Sequence, residues 1–501
     1  MTNHLYDGVF APHATSEKAY LITAAKTYSY AEFTTLTNRL ANRLVAAGVG
    51  AGDRVAVQAD KSVTQLALYA ATVKVGGIYL PLNTAYTAHE LEYFLGDAKP
   101  AVAVVSNEAA PSITPITDGI NAALFTLQGD ETGTMTDGLD AAGDDFDAVA
   151  RDPDDLGAIL YTSGTTGRSK GAKLSHRNLL SNATILMQTW HFTGDDVLLH
   201  MLPIYHTHGL FVACNLMTMA GGTMIFLPKF NLEAAITHMP QSTAMMGVPT
   251  FYTRLLDSPE FTAELTEHMR LFISGSAPLL AETHEQFSAR TGQAILERYG
   301  MTETNMNTSN PYYGERRAGT VGKPLTGVDI RITNPETGEA LGDGEIGVIE
   351  LKGDNVFSGY WEMPEKTAES FTKDGYFITG DMAQRSKDGY ISIVGRDKDM
   401  IISGGLNIYP IEIEGLIDDV DGVIESAVIG VPHKDFGEAV VAVIATQDAG
   451  LTAEKITAHI GDKLARFKQP KQIFFVETLP RNTMGKVQKA TLRKTHEGLF
   501  V

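Results

Sequence analysis

The amino-acid sequence predicts an α/β fold: a large N-terminal domain of layered sheets and helices, followed by a small, mobile α+β C-terminal domain. Strand-length apolar runs alternate with helix-period segments through residues 29–105, the pattern of parallel strands joined by helical crossovers. At 501 residues the chain is longer than one hydrophobic core normally organises. Beyond Asp397 the strand and helix signals start afresh for about a hundred residues, enough for an independent body. The domains are therefore placed at 1–396 and 397–501.

The first helix is opened by Ser29 and Glu32, which have capping-box spacing. Phe33, Leu36, Leu40 and Leu44 form its apolar face and Gly48 ends it. A strand at 55–59, a helix at 63–75, a strand at 78–80, a helix opened by Thr87 and Glu90, and a strand at 101–105 follow. Gly48, Gly50 and Gly52 look like part of a dinucleotide fingerprint, but they follow a helix and precede a strand. Phosphate binding needs the reverse order, so they are assigned to a turn. Residues 107–155 are acidic and rich in Gly, Ala and Thr, and are expected to be a surface excursion. In the C-terminal domain, strands are expected at 426–431 and 473–476 and a helix at 453–464.

Composition excludes several roles. Sixty acidic residues against 40 basic ones leave a formal charge of −20, which argues against a nucleic-acid partner but not against one phosphorylated ligand in a locally basic cleft. Cys214 is the only cysteine, so neither an intrachain disulfide nor a multi-cysteine metal site is available, and its apolar surroundings suggest a packed thiol. The N-terminus lacks a signal pattern, and no apolar run reaches membrane-spanning length. A cytoplasmic protein with no membrane association is expected.

Two strings carry recognisable chemistry. YTSGTTGRSKG, residues 161–171, offers small hydroxyls and glycines that let backbone N–H groups approach phosphate, with Arg168 and Lys170 supplying charge. It is not a Walker A loop, because Gly171 follows Lys170. A surface turn of the same composition is the alternative. ERYGMTE, residues 297–303, offers the Tyr299 ring for adenine stacking, the Thr302 hydroxyl for phosphate and the Glu303 carboxylate for Mg2+. A helix-capping Thr–Glu pair is the alternative there.

Three more strings follow in order: YFITGD ending at Asp381, GRDKDMIISGGLNIYP at 395–410, and PRNTMGKVQK at 480–489. Together the five closely resemble the adenylate-forming superfamily of acyl-CoA synthetases, peptide-synthetase adenylation domains and luciferases, over nearly the whole chain. The resemblance implies the two-domain adenylate-forming fold, ATP and Mg2+ as cofactors, and an acyl-adenylate intermediate. It places Thr162, Ser163, Gly164, Thr165, Thr166, Gly167 and Lys170 on the phosphates, and Glu297 and Arg298 with Tyr299 among the nucleotide-binding residues. Gly275, Ser276, Ala277 and Pro278 lie along adenine, and Asp381 and Arg396 hold the ribose.

By the same resemblance His206 lines the acyl pocket. A metal pair of His206 with His208 is the alternative, although no third ligand is evident. Lys486 matches the family's mobile lysine, whose ammonium offsets charge building on phosphate during adenylation. Lys398 matches the hinge about which the small domain turns, bringing Gly404 and Gly405 beside the pantetheine arm of coenzyme A. An acyltransferase acting on Lys486 would remove that charge and switch the enzyme off.

GVPTFYTRLL, FISGSAPLL and ERYGMTETNMNTSNPY resemble the malonyl-CoA synthetases, which also take methylmalonate. On that match Arg254 and Ser276 bind the distal carboxylate, a task suited to a guanidinium fork. A surface Arg254 paired with Asp257 is the alternative. Three other functions remain open at this point: a synthetase for a short monocarboxylate or aryl acid, an adenylation module loading a carrier protein, and a non-catalytic nucleotide sensor.

Overall fold

The computed structural model describes all residues except 1, 163–168, 397–398, 404–405, 434–435, 462, 465, 483–484 and 501. Its contacts divide the chain into two units, Met1–Asp329 with Lys352–Phe377, and Ile330–Leu351 with Ile378–Val501. The chain therefore enters the second unit before residue 397. The expected hinge residue, Lys398, lies outside the described residues.

The first unit holds two sheets. In the six-stranded sheet the spatial order is Ala123–Thr126, Val102–Val105, Arg54–Gln58, Ile78–Pro81, Leu156–Thr162 and Lys170–Ser175. Neighbours are parallel until the last strand, which runs back along Leu156–Thr162. The expected alternation is present. Helix Tyr30–Ala46 carries the Ser29–Glu32 capping box, and Ala88–Ala98 carries that of Thr87 and Glu90. Helix Val63–Lys74 is buried along every residue, its polar Thr64, Gln65, Thr72 and Lys74 included.

The expectation for 107–155 is corrected. Its first part folds into another helix and strand, Ala110–Ile120 and Ala123–Thr126, and the strand forms an edge of the sheet. Pro111 and Pro115 hid the helix: one falls in its first turn, where no N–H is needed, and the other lies inside it.

The nine-stranded sheet places Leu296–Met301, Leu271–Ser274, Ala244–Gly247 and Val197–His200 side by side and parallel. Their carboxyl ends lead into YGMTE, SGSAP, GVPTFYTRLL and PIYHTHGL respectively. Sequence-distant motifs are thus gathered at the sheet edge where ligands of open parallel sheets bind.

The second unit has a four-stranded sheet ordered Asp329–Thr333, Gly347–Lys352, Phe377–Arg385 and Ile391–Arg396. Its other sheet centres on Gly437–Ala445, paired antiparallel with Glu425–His433 and parallel with Gln472–Val476. Alternate residues of the central strands feed two cores. Val428, Val440 and Ala442 pack with Ile413 and Ile456, whereas Ile429, Val441 and Val443 pack with Leu492.

Candidate active site

Arg298 is 4% exposed and Glu297 7%, on a strand whose alternation turns them to opposite faces. They do not neutralise each other. Burial pushes the Glu297 carboxyl up to about 8, so it is largely a neutral acid at pH 7, and its Oε1 has no partner. Burial draws the Arg298 guanidinium down to about 9, which still leaves it a cation, with Nε and Nη2 buried and unpartnered. A Cβ at Gly275 would lie 2.3 Å from Arg298 Cζ, so glycine is what lets the guanidinium lie against that backbone.

His208 adjoins this group. Its Nδ1 lies 3.3 Å from Ser276 Oγ, its Nε2 is buried without a partner, and burial together with the Arg298 charge keeps the imidazole neutral. Ser276 is exposed and adopts φ of 72°, an uncommon conformation for a non-glycine residue. The cluster therefore holds one uncompensated positive charge and several orphaned donors next to an exposed loop. Buried polar groups normally find partners, so the arrangement calls for an anionic ligand.

Strands Leu156–Thr162 and Lys170–Ser175 pair antiparallel up to Thr162 opposite Lys170. The phosphate-loop string therefore connects two strands of a hairpin, and the following helix, His176–Thr189, begins only after the second strand. Of the expected phosphate ligands, Ser163, Gly164, Thr165, Thr166 and Gly167 lie outside the described residues. At its edges, the Thr162 hydroxyl donates to the Lys170 carbonyl at 3.4 Å.

Lys170 sits 4.4 Å above the Tyr360 ring, and the Tyr360 hydroxyl donates to Glu303 Oε1 at 3.1 Å. Burial lowers the Lys170 pKa, and the Glu303 charge opposes that shift. Backbone bonds fix this grouping: Phe357 N–H donates to Glu303 O at 2.8 Å, and Trp361 N–H to Gly171 O at 2.7 Å. Thr302 and Glu303 occupy the turn between two antiparallel strands, so the helix-capping alternative is eliminated. Tyr360 lies in no string singled out from the sequence. Glu303 is 7% exposed, and no cluster of three potential metal ligands exists among the described residues. A single buried carboxylate suits Mg2+, which is held largely by phosphates and water.

The remaining candidates are placed as follows. Tyr299 and His206 are half-buried, and the His206 ring lies 4.6 Å from that of Tyr205. Ala277 and Pro278 are exposed beyond Gly275. Arg254 is exposed on helix Pro249–Leu256, 5.9 Å from the Phe230 ring centre, and its pairing with Asp257 is not formed. In the second unit Arg396 and Asp381 form an ion pair at 2.9 Å across adjacent strands. Lys486 is exposed on a hairpin after strand Gln472–Val476. Gly404 and Gly405 lie outside the described residues.

A network next to His208 escaped the sequence reading. Lys61 donates to His200 Nδ1 at 2.7 Å, which leaves His200 Nε2–H to donate to the Gly209 carbonyl at 2.9 Å. Gly209 belongs to the π-helical turn His208–Cys214, and a Cβ there would lie 2.0 Å from the Pro203 carbonyl oxygen. The Cys214 thiol, 3.4 Å from His200, is pushed up to about 12 by burial, so it is a packing group.

The folded units and their gathered motifs define an adenylate-forming type of α/β enzyme. The AMP-binding enzyme family matches residues 11–361 and the AMP-binding enzyme C-terminal domain matches residues 412–486; the chain belongs to this family. A crystal structure of ATP-bound MatB from Rhodopseudomonas palustris superposes with a TM-score of 0.98 at 55% identity, covering 100% of both chains. The malonate–CoA ligase of Arabidopsis thaliana is 36% identical over 89% of this chain and 78% of its own length. The mitochondrial malonate–CoA ligase ACSF3 of Mus musculus is 35% identical over 88% of this chain and 81% of its own length.

Proposed function

We propose that this enzyme ligates malonate, and also methylmalonate, to coenzyme A through an acyl-adenylate, releasing AMP and pyrophosphate. The observation that carries the reading is the buried, unpartnered Arg298 guanidinium with Ser276 and His208, which suits an acid bearing a second carboxylate. The relatives named malonate–CoA ligases support it. A monocarboxylate would leave that charge without a counterion, which disfavours the short-acid and aryl-acid readings.

In the first step a carboxylate oxygen of malonate attacks the α-phosphorus of ATP and the bond to pyrophosphate breaks. Lys486 stabilises the charge that builds on the phosphate oxygens. Thr162, Ser163, Gly164, Thr165, Thr166, Gly167 and Lys170 hold the phosphates, Gly275, Ser276, Ala277, Pro278 and Tyr299 hold adenine, and Asp381 with Arg396 holds the ribose. Glu303 would hold Mg2+, which would supply neutralisation of the phosphate charge. In the second step the coenzyme A thiol attacks the acyl carbon and AMP leaves. Rotation at Lys398 brings Gly404 and Gly405 to the pantetheine arm between the two steps. The distal carboxylate has two candidate cations: Arg254, exposed on its helix, and Arg298, buried beside Ser276. The buried one suits the task better, because a charge pair removed from water is screened less.

No helix among the described residues is long and apolar enough to cross a membrane. A cytoplasmic location, consistent with a single buried cysteine, belongs to the same proposal, as does acylation of Lys486 as an off switch. Mass spectrometry of the protein from cells in several growth states tests the latter, and an unmodified Lys486 throughout would remove it. The function is tested by coenzyme A ligation across C2 to C8 mono- and dicarboxylates. Malonate and methylmalonate should lead, and a preference for butyrate or benzoate would overturn the substrate assignment.

A further inference from the structure

Lys486 is delivered by a hairpin whose geometry has identifiable causes. The Asn482 N–H donates to the Lys486 carbonyl and the Gly485 N–H to the Asn482 carbonyl, each at 2.9 Å. The Lys486 N–H in turn donates to Asn482 Oδ1 at 2.9 Å. Gly485 takes φ of 74°, turning the chain immediately before Lys486. Below the turn Arg481 bridges to Val487, and the Gln488 N–H reaches the Pro480 carbonyl at 2.8 Å. These bonds close the hairpin on itself, but they do not fix it to the body of the unit.

One link to the body comes from Arg481. Its Nη1 donates to the Gly485 carbonyl, across the hairpin, while its Nη2 donates to the Glu425 carboxylate at the start of strand Glu425–His433. One planar guanidinium thus joins the residue preceding Lys486 to a rigid strand that is paired along its length with Gly437–Ala445. On the far flank, Lys489 pairs with Glu414 at 2.6 Å and Arg493 with Asp399 at 2.6 Å.

The Arg481–Glu425 pair is partly exposed, with side chains 39% and 27% accessible, and exposed pairs contribute little to stability. Its effect is therefore on direction. A guanidinium presents several N–H groups in a fixed fork, so it can serve two acceptors at once, which an ammonium on a flexible stem does less well.

We infer that Arg481, anchored on Glu425, is a positioning residue for Lys486, fixing the direction in which the hairpin presents that ammonium for adenylation. The inference rests on the adenylation role of Lys486 and is distinguishable from it. Arg481 makes no contact with the reacting atoms in this account. Its loss should therefore impair only the half-reaction that uses Lys486.

The test compares wild type with Arg481→Met, Arg481→Lys, Glu425→Gln and Lys486→Ala. Malonate-dependent ATP–pyrophosphate exchange reads the first half-reaction, thioester formation from isolated malonyl-adenylate reads the second, and thermal melting reports on folding. Arg481→Met should lower exchange by roughly tenfold or more, the scale for misplacing a catalytic group by a fraction of an ångström. The thioester step and melting temperature should stay near wild type. Glu425→Gln and Arg481→Lys should fall between the two. Equal loss in both half-reactions, or loss tracking melting temperature, would make Arg481 a structural residue and overturn the inference. Unchanged exchange in Arg481→Met, with Lys486→Ala strongly impaired, would also overturn it while leaving the lysine assignment intact. Unchanged exchange in Lys486→Ala would instead remove the assignment on which the inference rests.

Discussion

The Arg298 cluster of the first unit is buried and short of partners, whereas Lys486 of the second unit sits on an exposed hairpin tied down by surface ion pairs. Both are cations assigned to anionic targets. The first has its desolvation cost met during folding, so a carboxylate arriving there finds donors already oriented in a low-dielectric setting. The second is exposed to solvent, so it can approach and leave phosphate without a large desolvation penalty. Burial suits a group that must discriminate between substrates, and exposure suits one that must act in a single step and then withdraw.

The largest expected effect comes from removing the exposed cation. Lys486→Ala should fold and bind ATP normally, yet lose malonate adenylation by on the order of a hundredfold or more, the scale for losing one transition-state donor. Thioester formation from pre-made adenylate should survive much better. Equal losses in the two half-reactions, measured separately, would break the contrast.

Removing the buried cation should act on substrate choice. Arg298→Met leaves the distal carboxylate without its partner, at a cost of about 2–5 kcal/mol, so malonate kcat/KM should fall by roughly thirtyfold or more. Turnover of propionate should hold or rise, and KM for ATP should barely move. Arg254→Ala is the control, since an exposed guanidinium should change malonate kcat/KM by only a few fold. Should Arg254→Ala instead produce the larger and malonate-selective loss, the two arginines exchange roles.

A smaller effect is expected at Glu303. Glu303→Gln replaces a hard anionic ligand by an amide and loosens the acceptor for the Tyr360 hydroxyl. Its rate should recover partly at high magnesium, and a magnesium titration identical to wild type would place the ligand elsewhere.

The smallest effect concerns stability. Burial, with Glu414 and Glu425 nearby, pushes the Asp418 carboxyl up to about 7 from an ordinary 3.8. The folded chain then binds a proton more tightly than the unfolded one, so this group costs stability increasingly as pH rises from about 4 to about 7. Asp418→Asn should flatten that slope and raise the melting temperature at pH 8 relative to wild type. A melting temperature at pH 8 equal to or below that of wild type would show that ionised Asp418 carries no such penalty.

The parts of this picture legible in the sequence were those with a local period or cap. The Ser29–Glu32 and Thr87–Glu90 boxes announced their helices, and the five ordered strings announced the family. Helix Ala110–Ile120 was masked by its own prolines, and strand Gly437–Ala445, the centre of its sheet, carried no turn signal strong enough to mark it. Within the site, the residue types were legible but their orientations were not. Whether Arg298 or Arg254 points inward depends on strand face and helix face, which only tertiary register decides. Tyr360 reaches Glu303 through a long-range pairing of chain segments, and no spacing rule anticipates that.

Cys214 has a practical consequence. Its thiol is the only one in the chain, and burial keeps it protonated, so it should not react with maleimide reagents in the folded enzyme. Cysteines introduced at chosen surface positions could therefore be labelled selectively in the otherwise native sequence. One label beside the Lys486 hairpin and one on helix Pro249–Leu256 would report, by donor–acceptor fluorescence during turnover, whether the distance between them alternates with the two half-reactions.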